Sequence, residues 1–217
     1  FNDNIGNSRL EFEHHCQVLY NYWYSSLCWS TNYMVKFLAA VIKTARPRQW
    51  IKNLAIFAAL VFTGQFYTPG LFDKTLQGFV ALTFVVSAIY FINDIADISS
   101  DKLHPFKRFR PIARGDIPVP IALIIAGAGV FSGLWLANSL SNFFFLTLLA
   151  YFLLQLAYTF WLKEMVVIDI LVIATGFIMR VYAGAFLIDA HLSIWFLLCV
   201  VSVSLFLAAG KRRAELF

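Results

Sequence analysis

The order of apolar and polar residues divides this chain into long hydrophobic runs separated by short polar segments. A transmembrane α-helix needs about 20 predominantly apolar residues, and six runs approach that length. They lie at 53–69, 74–95, 117–138, 141–161, 165–188 and 193–210. Because a helix satisfies its own backbone hydrogen bonds inside a bilayer, the pattern predicts an all-α, polytopic transmembrane bundle of about six spans.

The N-terminal part of the chain departs from this pattern. Residues 1–33 show no sustained helical or alternating period, and they lack the basic start and apolar core of a signal peptide. Residues 34–46 have an amphipathic pattern with three basic residues, which predicts a short helix at the membrane surface. We therefore expect an atypical extension over 1–33 and one transmembrane domain over 34–217, with Met34 as the natural start.

The composition agrees with a membrane protein. Of 217 residues, 60% are hydrophobic and 13% are charged, and the mean hydropathy is +0.73. Soluble domains carry about 25% charged residues, so this chain has too few charges for a fully hydrated surface. The net charge of +5 could suit nucleic acid, but the basic residues stand between apolar runs and form no continuous basic face. Anionic headgroups and phosphates are the expected partners, and nucleic acid is not.

The positions of the basic residues also predict an orientation. With alternating spans, one side of the membrane receives Arg46, Arg48, Lys52, the run from Lys102 to Arg114, Lys163 and the run from Lys211 to Arg213. The other side receives only Lys74. Because cytoplasmic loops carry the excess of Lys and Arg, we expect the basic loops to face the cytoplasm.

The polar residues are densest at the end of the second run, in the stretch YFINDIADISSDKLHPFKRFRPIARG at 90–115. On an α-helix, Asp97 lies about 60° and Asp101 about 20° around the axis from Asp94, so the three carboxylates would share one face. Carboxylates so close together repel each other unless a cation neutralises them. Oxygen ligands favour a hard divalent ion such as Mg²⁺.

The basic residues that follow extend this argument to a ligand. Mg²⁺ binds few carboxylates and takes further oxygens from water or from a substrate phosphate, which the cations would also hold. The implied ligand is a diphosphate. A solvated polar loop between two membrane helices is the plainer alternative, but ionised groups at the mouth of a hydrophobic segment are costly and are usually functional.

Later spans contain a few more candidates. Arg180 lies in the middle of the fifth span, where a charge costs about 2.5–3.5 kcal/mol on insertion scales, so it should face the bundle interior or a water-filled cavity. Asp169 precedes it by 11 residues, too far for a direct ion pair. A structural role in helix packing stays open for both residues. Tyr158 and Lys163, at the end of the fourth span, are either interface anchors or site residues.

These motifs resemble the UbiA superfamily of intramembrane prenyltransferases, whose first aspartate-rich motif has the form N-D-x-x-D-x-x-x-D. The stretch NDIADISSD at 93–101 matches that form at each specified position. Three further motifs look like the decaprenyl-phosphate phosphoribosyltransferase branch: RPRQWIKN at 46–53, DKLHPFKRFRPIARG at 101–115 and GKRRAEL at 210–216. The resemblance covers about residues 40–217. Superfamily members usually have about nine spans, so six would be a truncated UbiA-like fold.

The resemblance implies a Mg²⁺-dependent transfer of a 5-phosphoribosyl group from phosphoribosyl diphosphate to a polyprenyl (decaprenyl) phosphate, with release of diphosphate. It implies an enzyme of the inner or plasma membrane of a prokaryote. Asp94, Asp97 and Asp101 would bind the metal and act in catalysis. The residues that would bind substrate are Lys52, Asn93, Lys107, Arg108, Arg110, Lys211 and Arg212, with Tyr158, Lys163 and Arg180 as weaker candidates.

Two other functions stay open. The nearest is a UbiA-type prenyltransferase that joins a polyprenyl diphosphate to an aromatic or haem-like acceptor, which a complete second aspartate motif downstream would favour. The base-rich GKRRAEL segment, where such enzymes carry that motif, suits a lipid monophosphate acceptor instead. A cation transport module or a non-catalytic fragment is the second alternative. Transporters bind substrate near the midplane between repeats, whereas the polar residues here gather at one membrane face. The sequence does not predict an oligomeric state.

Overall fold

The computed structural model describes residues 34–162 and 166–214. The predicted extension over 1–33 and the candidate Lys163 lie outside these residues, and the side chains of Lys211 and Arg212 are not described. All regular structure in the described part is helical, which confirms the all-α class. The chain divides into two compact units, Phe1–Val41 and Ile42–Phe217, and the site lies in the second.

The α-helices are α1 (residues 34–45), α2 (Ala58–Phe62), α3 (Leu71–Ala96), α4 (Ile98–Leu103), α5 (Pro111–Arg114), α6 (Val119–Leu140), α7 (Asn142–Ala157), α8 (Val166–Leu187) and α9 (Ile194–Ala214). Two 3₁₀ helices, Pro47–Phe57 and Lys107–Phe109, and a π-helix, Tyr158–Leu162, complete the described elements.

Four described helices are long and apolar enough to cross a membrane, which confirms four of the predicted spans. They are Leu71–Ala96, Val119–Leu140, Asn142–Trp161 and Ile168–Leu187. The last predicted span is also helical, but its apolar part, Ile194–Gly210, is shorter than these four. The protein is an integral membrane protein of helical type.

The prediction of one continuous span over 53–69 is wrong. The chain there forms the 3₁₀ helix Pro47–Phe57, then the short α2, and then turns. Gly64, just after α2, and Gly70, just before α3, adopt φ values of 71° and 82°, a left-handed conformation that glycine accepts readily. An 11-residue 3₁₀ helix is unusually long, because 3₁₀ hydrogen bonds are poorer than those of an α-helix. Its position must therefore be fixed by contacts with the rest of the bundle.

The core forms where α3 packs against α6, α7, α8 and the 3₁₀ helix Pro47–Phe57. Small residues allow the closest approaches, as is common between membrane helices. A Cβ at Gly184 of α8 would overlap the carbonyl oxygen of Ile56, and a Cβ at Gly133 of α6 would lie 2.8 Å from the carbonyl oxygen of Ala81. The 3₁₀ helix therefore packs directly against the backbone of α8.

The connections bring the polar segments to one end of the bundle. Two side-chain hydrogen bonds connect α8 to α7 and to the π-helix that follows α7. Arg180 of α8 donates to Tyr151 of α7, and Tyr158 of the π-helix donates to Asp169 of α8. The earlier residue of the first segment, Tyr151, pairs with the later residue of α8, Arg180, and the later residue, Tyr158, pairs with the earlier one, Asp169. The two segments are therefore antiparallel. The π-helix also contacts α3. Tyr158 and Asp169 therefore lie at the end of the bundle where α3 finishes in its acidic residues.

Candidate active site

The acidic stretch does not continue on a single helix. α3 ends at Ala96, Asp97 adopts φ −94° and ψ 6°, and α4 begins at Ile98. The prediction of one uninterrupted helical face is therefore wrong at its middle residue, where the backbone leaves helical geometry. Asp94 and Asp101 are nevertheless only 2% and 1% exposed, whereas Asp97 is half-buried.

Two arginines neutralise these buried carboxylates. Arg46 donates a 2.5 Å hydrogen bond from Nη2 to Oδ1 of Asp94. Arg110 bridges both acids, with Nη1 at 2.7 Å from Oδ2 of Asp101 and 3.3 Å from Oδ1 of Asp94. The guanidinium of Arg46 also lies over the Tyr90 ring at 4.8 Å. Two anions and two cations thus form a compact cluster of alternating charge, because neither acid could be buried without a cationic partner.

A following proline restricts the backbone conformation of both arginines. Arg46 and Arg110 each precede a proline, a position that sterically disfavours the α-helical conformation. Arg110 is extended, with φ −66° and ψ 140°, whereas Arg46 is left-handed, with φ 53° and ψ 63°. A left-handed residue other than glycine costs about 1–3 kcal/mol and persists only where its surroundings hold it. The pairing of Arg46 with Asp94 is one contact that does so.

The cluster fits a divalent metal only in part. No group of three or more His, Cys, Asp or Glu side chains that could hold a metal ion occurs in the described part of the chain. Asp94 and Asp101 do meet at Arg110, so two hard oxygen ligands converge. Mg²⁺ is commonly bound through one or two carboxylates and completes its octahedral shell with water or phosphate oxygens. The donor set present therefore suits Mg²⁺ with a phosphate ligand.

A second polar network lies deeper in the bundle, around Arg180, which is 8% exposed. Its Nη2 donates to the Tyr151 hydroxyl at 2.7 Å and its Nη1 to the Gly176 carbonyl at 3.0 Å. Its Nε donates to Oδ1 of Asn53 at 3.3 Å, and Nδ2 of Asn53 donates to the Thr83 hydroxyl at 3.1 Å. The sequence prediction that Arg180 faces the bundle interior is confirmed. Its neighbours are hydroxyl, amide and carbonyl groups.

Asp169 has a partner that the sequence prediction did not identify. Oδ1 of Asp169 accepts a 2.6 Å hydrogen bond from the Tyr158 hydroxyl, and Asp169 is 4% exposed. Tyr158 opens the π-helix, an irregularity that is frequent at functional sites. The only sequence signal was the pairing of a tyrosine at the end of one span with an acid at the start of the next.

The other predicted substrate-binding residues differ in their exposure to solvent. Lys52, Lys107 and Arg108 are exposed, and Asn93 is half-buried. Lys107 and Arg108 lie on the short 3₁₀ helix just before Arg110, so three cations occur in four residues beside the acidic cluster. The structure therefore joins Asp94, Asp101 and Arg110 directly, while Arg180 belongs to a separate network.

An apolar groove of about 770 Å³ runs between α3, α6 and α7. Its lining includes Ile92, Phe131 and Trp135, with Asn138 as its polar member. Ile92 and Asp94 are two positions apart, about 200° around the axis of α3, so they point to different sides of that helix. The groove and the acidic cluster therefore lie on different faces of α3.

Residues 50–210 match the UbiA prenyltransferase family. The chain belongs to this family. The aspartate-rich motif at 93–101, from which the sequence predicted that membership, lies inside the matched region.

Curated UbiA relatives support the narrower resemblance. The chain is 42% identical over 187 residues to a decaprenyl-phosphate phosphoribosyltransferase of Mycolicibacterium smegmatis, covering 82% of this chain and 58% of that protein. It is 40% identical over 183 residues to a protein of the same name from Corynebacterium glutamicum, covering 81% and 54%. These names confirm the predicted resemblance to that branch. The chain spans somewhat more than half the length of these relatives.

Solved structures show the same fold. A UbiA homologue from Archaeoglobus fulgidus, bound to DMAPP and Mg²⁺, aligns with a TM-score of 0.66 at 22% identity, over 76% of this chain and 60% of that one. A digeranylgeranylglyceryl phosphate synthase structure aligns with a TM-score of 0.68 at 18% identity, over 81% and 61%. At these identities the likeness establishes the UbiA fold of the chain, and the Mg²⁺ belongs to the archaeal homologue.

Proposed function

We propose that this UbiA-family protein transfers a 5-phosphoribosyl group from phosphoribosyl diphosphate to a polyprenyl phosphate and releases diphosphate. The observation that carries the proposal is Arg110, which bridges the buried Asp94 and Asp101. A diphosphate site needs oxygen ligands for a metal and cations for the phosphates, and both meet at this arginine. The decaprenyl-phosphate phosphoribosyltransferase names of relatives at about 40% identity supply the substrate class.

The residues have distinct roles in this proposal. Asp94 and Asp101, with Asp97 beside them, would hold Mg²⁺, which when bound would offset the negative charge of the leaving diphosphate. Arg46, Arg110 and several exposed cations would hold phosphate oxygens and stabilise the charge that grows on them. These further cations are Lys52, Lys107 and Arg108, joined by Lys211 and Arg212 near the end of α9.

The chemistry requires no general base. An oxygen of the lipid phosphate, which is already an anion, forms the new bond to C1 of the ribose. The bond from C1 to the diphosphate oxygen breaks, and the diphosphate leaves with the electron pair. Positioning and electrostatic stabilisation are therefore the main tasks of the side chains, as in other phosphate chemistry.

We also propose that the acidic end of the bundle faces the cytoplasm of a prokaryotic cell, in its inner membrane. The loop between α3 and α6 contains Lys102, Lys107, Arg108, Arg110 and Arg114. An excess of basic residues of this kind marks the cytoplasmic side of a membrane protein. Phosphoribosyl diphosphate would then reach the site from water and the lipid phosphate from the bilayer.

The test uses the full gene product in nanodiscs, with labelled phosphoribosyl diphosphate, decaprenyl phosphate and Mg²⁺. We expect label in the lipid phase for the wild type and its loss for Asp94→Asn and Asp101→Asn. Asp116→Asn is the matched control, because Asp116 lies in the same loop but pairs with Arg114 at the surface, at 3.2 Å. Transfer that is indifferent to Asp94 and Asp101, or consumption of a polyprenyl diphosphate with an aromatic acceptor instead, would contradict the proposal.

A further inference from the structure

Arg180 is a buried cation whose three described hydrogen bonds all go to neutral groups. The ion pairs among the described residues involve Arg46, Arg110 and Arg114, and none of them includes Arg180. Keeping a guanidinium at the centre of a membrane span without a carboxylate partner is expensive. Such a residue is retained where its geometry performs a task.

The geometry of Arg180 joins separate parts of the chain. From α8 it reaches Tyr151 of α7 and Asn53 of the 3₁₀ helix Pro47–Phe57. Asn53 is fully buried and continues the connection to Thr83 of α3. The planar guanidinium uses Nε, Nη1 and Nη2 in these bonds, a fork that a lysine ammonium cannot reproduce.

The 3₁₀ helix is consequently tied to α3 by polar contacts at two points. At one end Arg46 pairs with Asp94, and further along Asn53 bonds to Thr83. Seven residues of 3₁₀ helix span about 14 Å at 2.0 Å per residue. Eleven residues of α3 span about 16 Å at 1.5 Å per residue. The near match allows an antiparallel pairing in which fixing Asn53 also sets where Arg46 meets Asp94.

We propose that Arg180 is a positioning residue, which acts through Asn53 to fix the 3₁₀ helix so that Arg46 meets Asp94. The inference rests on the proposed function for its effect on substrate. It assigns Arg180 a role different from direct contact with a phosphate, since three of its five N–H donors already bond to protein acceptors. Arg46 is the residue through which the effect reaches the site.

The test compares Arg180→Met with the double variant Arg180→Met/Asn53→Leu. Removing one partner leaves a buried polar group unsatisfied, whereas replacing both with apolar groups can restore stability. We expect the single variant to have a lower Tm and the double variant to regain most of it. In both variants, hydrogen exchange of the 47–57 backbone should be about tenfold faster and KM for phosphoribosyl diphosphate about tenfold higher, as expected for losing about one net hydrogen bond. kcat should change less than KM.

Two further variants sharpen the result. Arg180→Lys keeps the charge but not the fork, so we expect it to show the same fast exchange and raised KM. Thr175→Val is the control on α8, because the Thr175 hydroxyl bonds only to the Leu171 carbonyl of its own helix among the described contacts, and it should resemble the wild type.

Several outcomes would overturn the proposal. Recovery of normal exchange and KM in the double variant would mean that Arg180 only stabilises the bundle. A wild-type KM in Arg180→Lys would mean that charge alone acts. A fall in kcat with unchanged exchange would mean direct action on substrate. If the wild type transfers no phosphoribosyl group, the proposed function fails, yet the exchange comparison still decides the positioning role.

Discussion

The hydroxyl of Tyr158 lies 2.6 Å from the buried carboxylate of Asp169, across the junction between the π-helix and α8. Tyr158→Phe would remove one donor from that carboxylate. A hydrogen bond to a charged group is worth about 1.5–3 kcal/mol, so we expect a loss of that order in the free energy of unfolding. Denaturation in detergent would measure it. Tyr67→Phe is the control, since Tyr67 is 92% exposed, and equal losses in the two variants would contradict the prediction.

Arg110→Ala should destabilise the protein far more than Arg114→Ala. Arg110 bridges two acids that are each almost fully buried, and removal of one partner from a buried pair costs about 3–5 kcal/mol. Arg114 pairs with Asp116 at the surface, with side chains 62% and 37% exposed, where an ion pair contributes about 0–1 kcal/mol. Thermal unfolding of the two variants compares them directly. A similar Tm for both would show that the acids tolerate the loss of the bridge.

Arg46→Gln should bind a divalent cation more tightly than the wild type. The guanidinium of Arg46 occupies Oδ1 of Asp94 and competes for it with any metal. Mn²⁺, which takes oxygen ligands as Mg²⁺ does and can be followed by paramagnetic resonance, is a suitable probe without substrate. We expect a Kd lowered several-fold, corresponding to about 1 kcal/mol for the lost competition.

Two control variants accompany the measurement of Mn²⁺ binding. Asp94→Asn should abolish the tight Mn²⁺ binding, and Arg114→Gln should leave it unchanged because Arg114 pairs with Asp116 instead. Weaker Mn²⁺ binding in Arg46→Gln would mean that the arginine supports the carboxylate and does not compete with the metal.

Gly184→Ala should displace the 3₁₀ helix. A Cβ there would overlap the carbonyl oxygen of Ile56, and a backbone atom cannot move aside cheaply. We expect a loss of stability of about 1–3 kcal/mol, as for other overpacked sites, with faster hydrogen exchange over 47–57. Gly127→Ala on α6 is the control, because a Cβ at Gly127 meets nothing within 4 Å, and alanine is the better helix former. Equal tolerance of both substitutions would contradict the close packing.

The long apolar runs predicted four of the spans correctly, because length and hydrophobicity alone decide whether a helix can cross a bilayer. The same criterion failed over 53–69. There the sequence is apolar enough, but Gly64 turns the backbone, and Asn53 requires partners in other helices. Hydropathy carries no information about such partners.

The candidate site was predicted in its residue types but not in its arrangement. The spacing of Asp94, Asp97 and Asp101 indicated a common face, yet the structure breaks the helix at Asp97 and closes the cluster with Arg46, 48 residues from its acid. Pairings over such separations follow from tertiary packing and leave no local pattern. Arg46 was missed as a site member for this reason.

The bond between Arg180 and Asn53 joins residues 127 positions apart. Synthesis proceeds at about 5–20 residues per second, so the ribosome needs roughly 6–25 s to add α8 after it has made Asn53. Throughout that interval the 3₁₀ helix has no partner on α8, and the side-chain oxygen of Asn53 lacks its Arg180 donor. Sequence changes that weaken this late connection would prolong the interval and expose the nascent chain to proteolysis, so their first visible effect would be a lower amount of protein in the membrane.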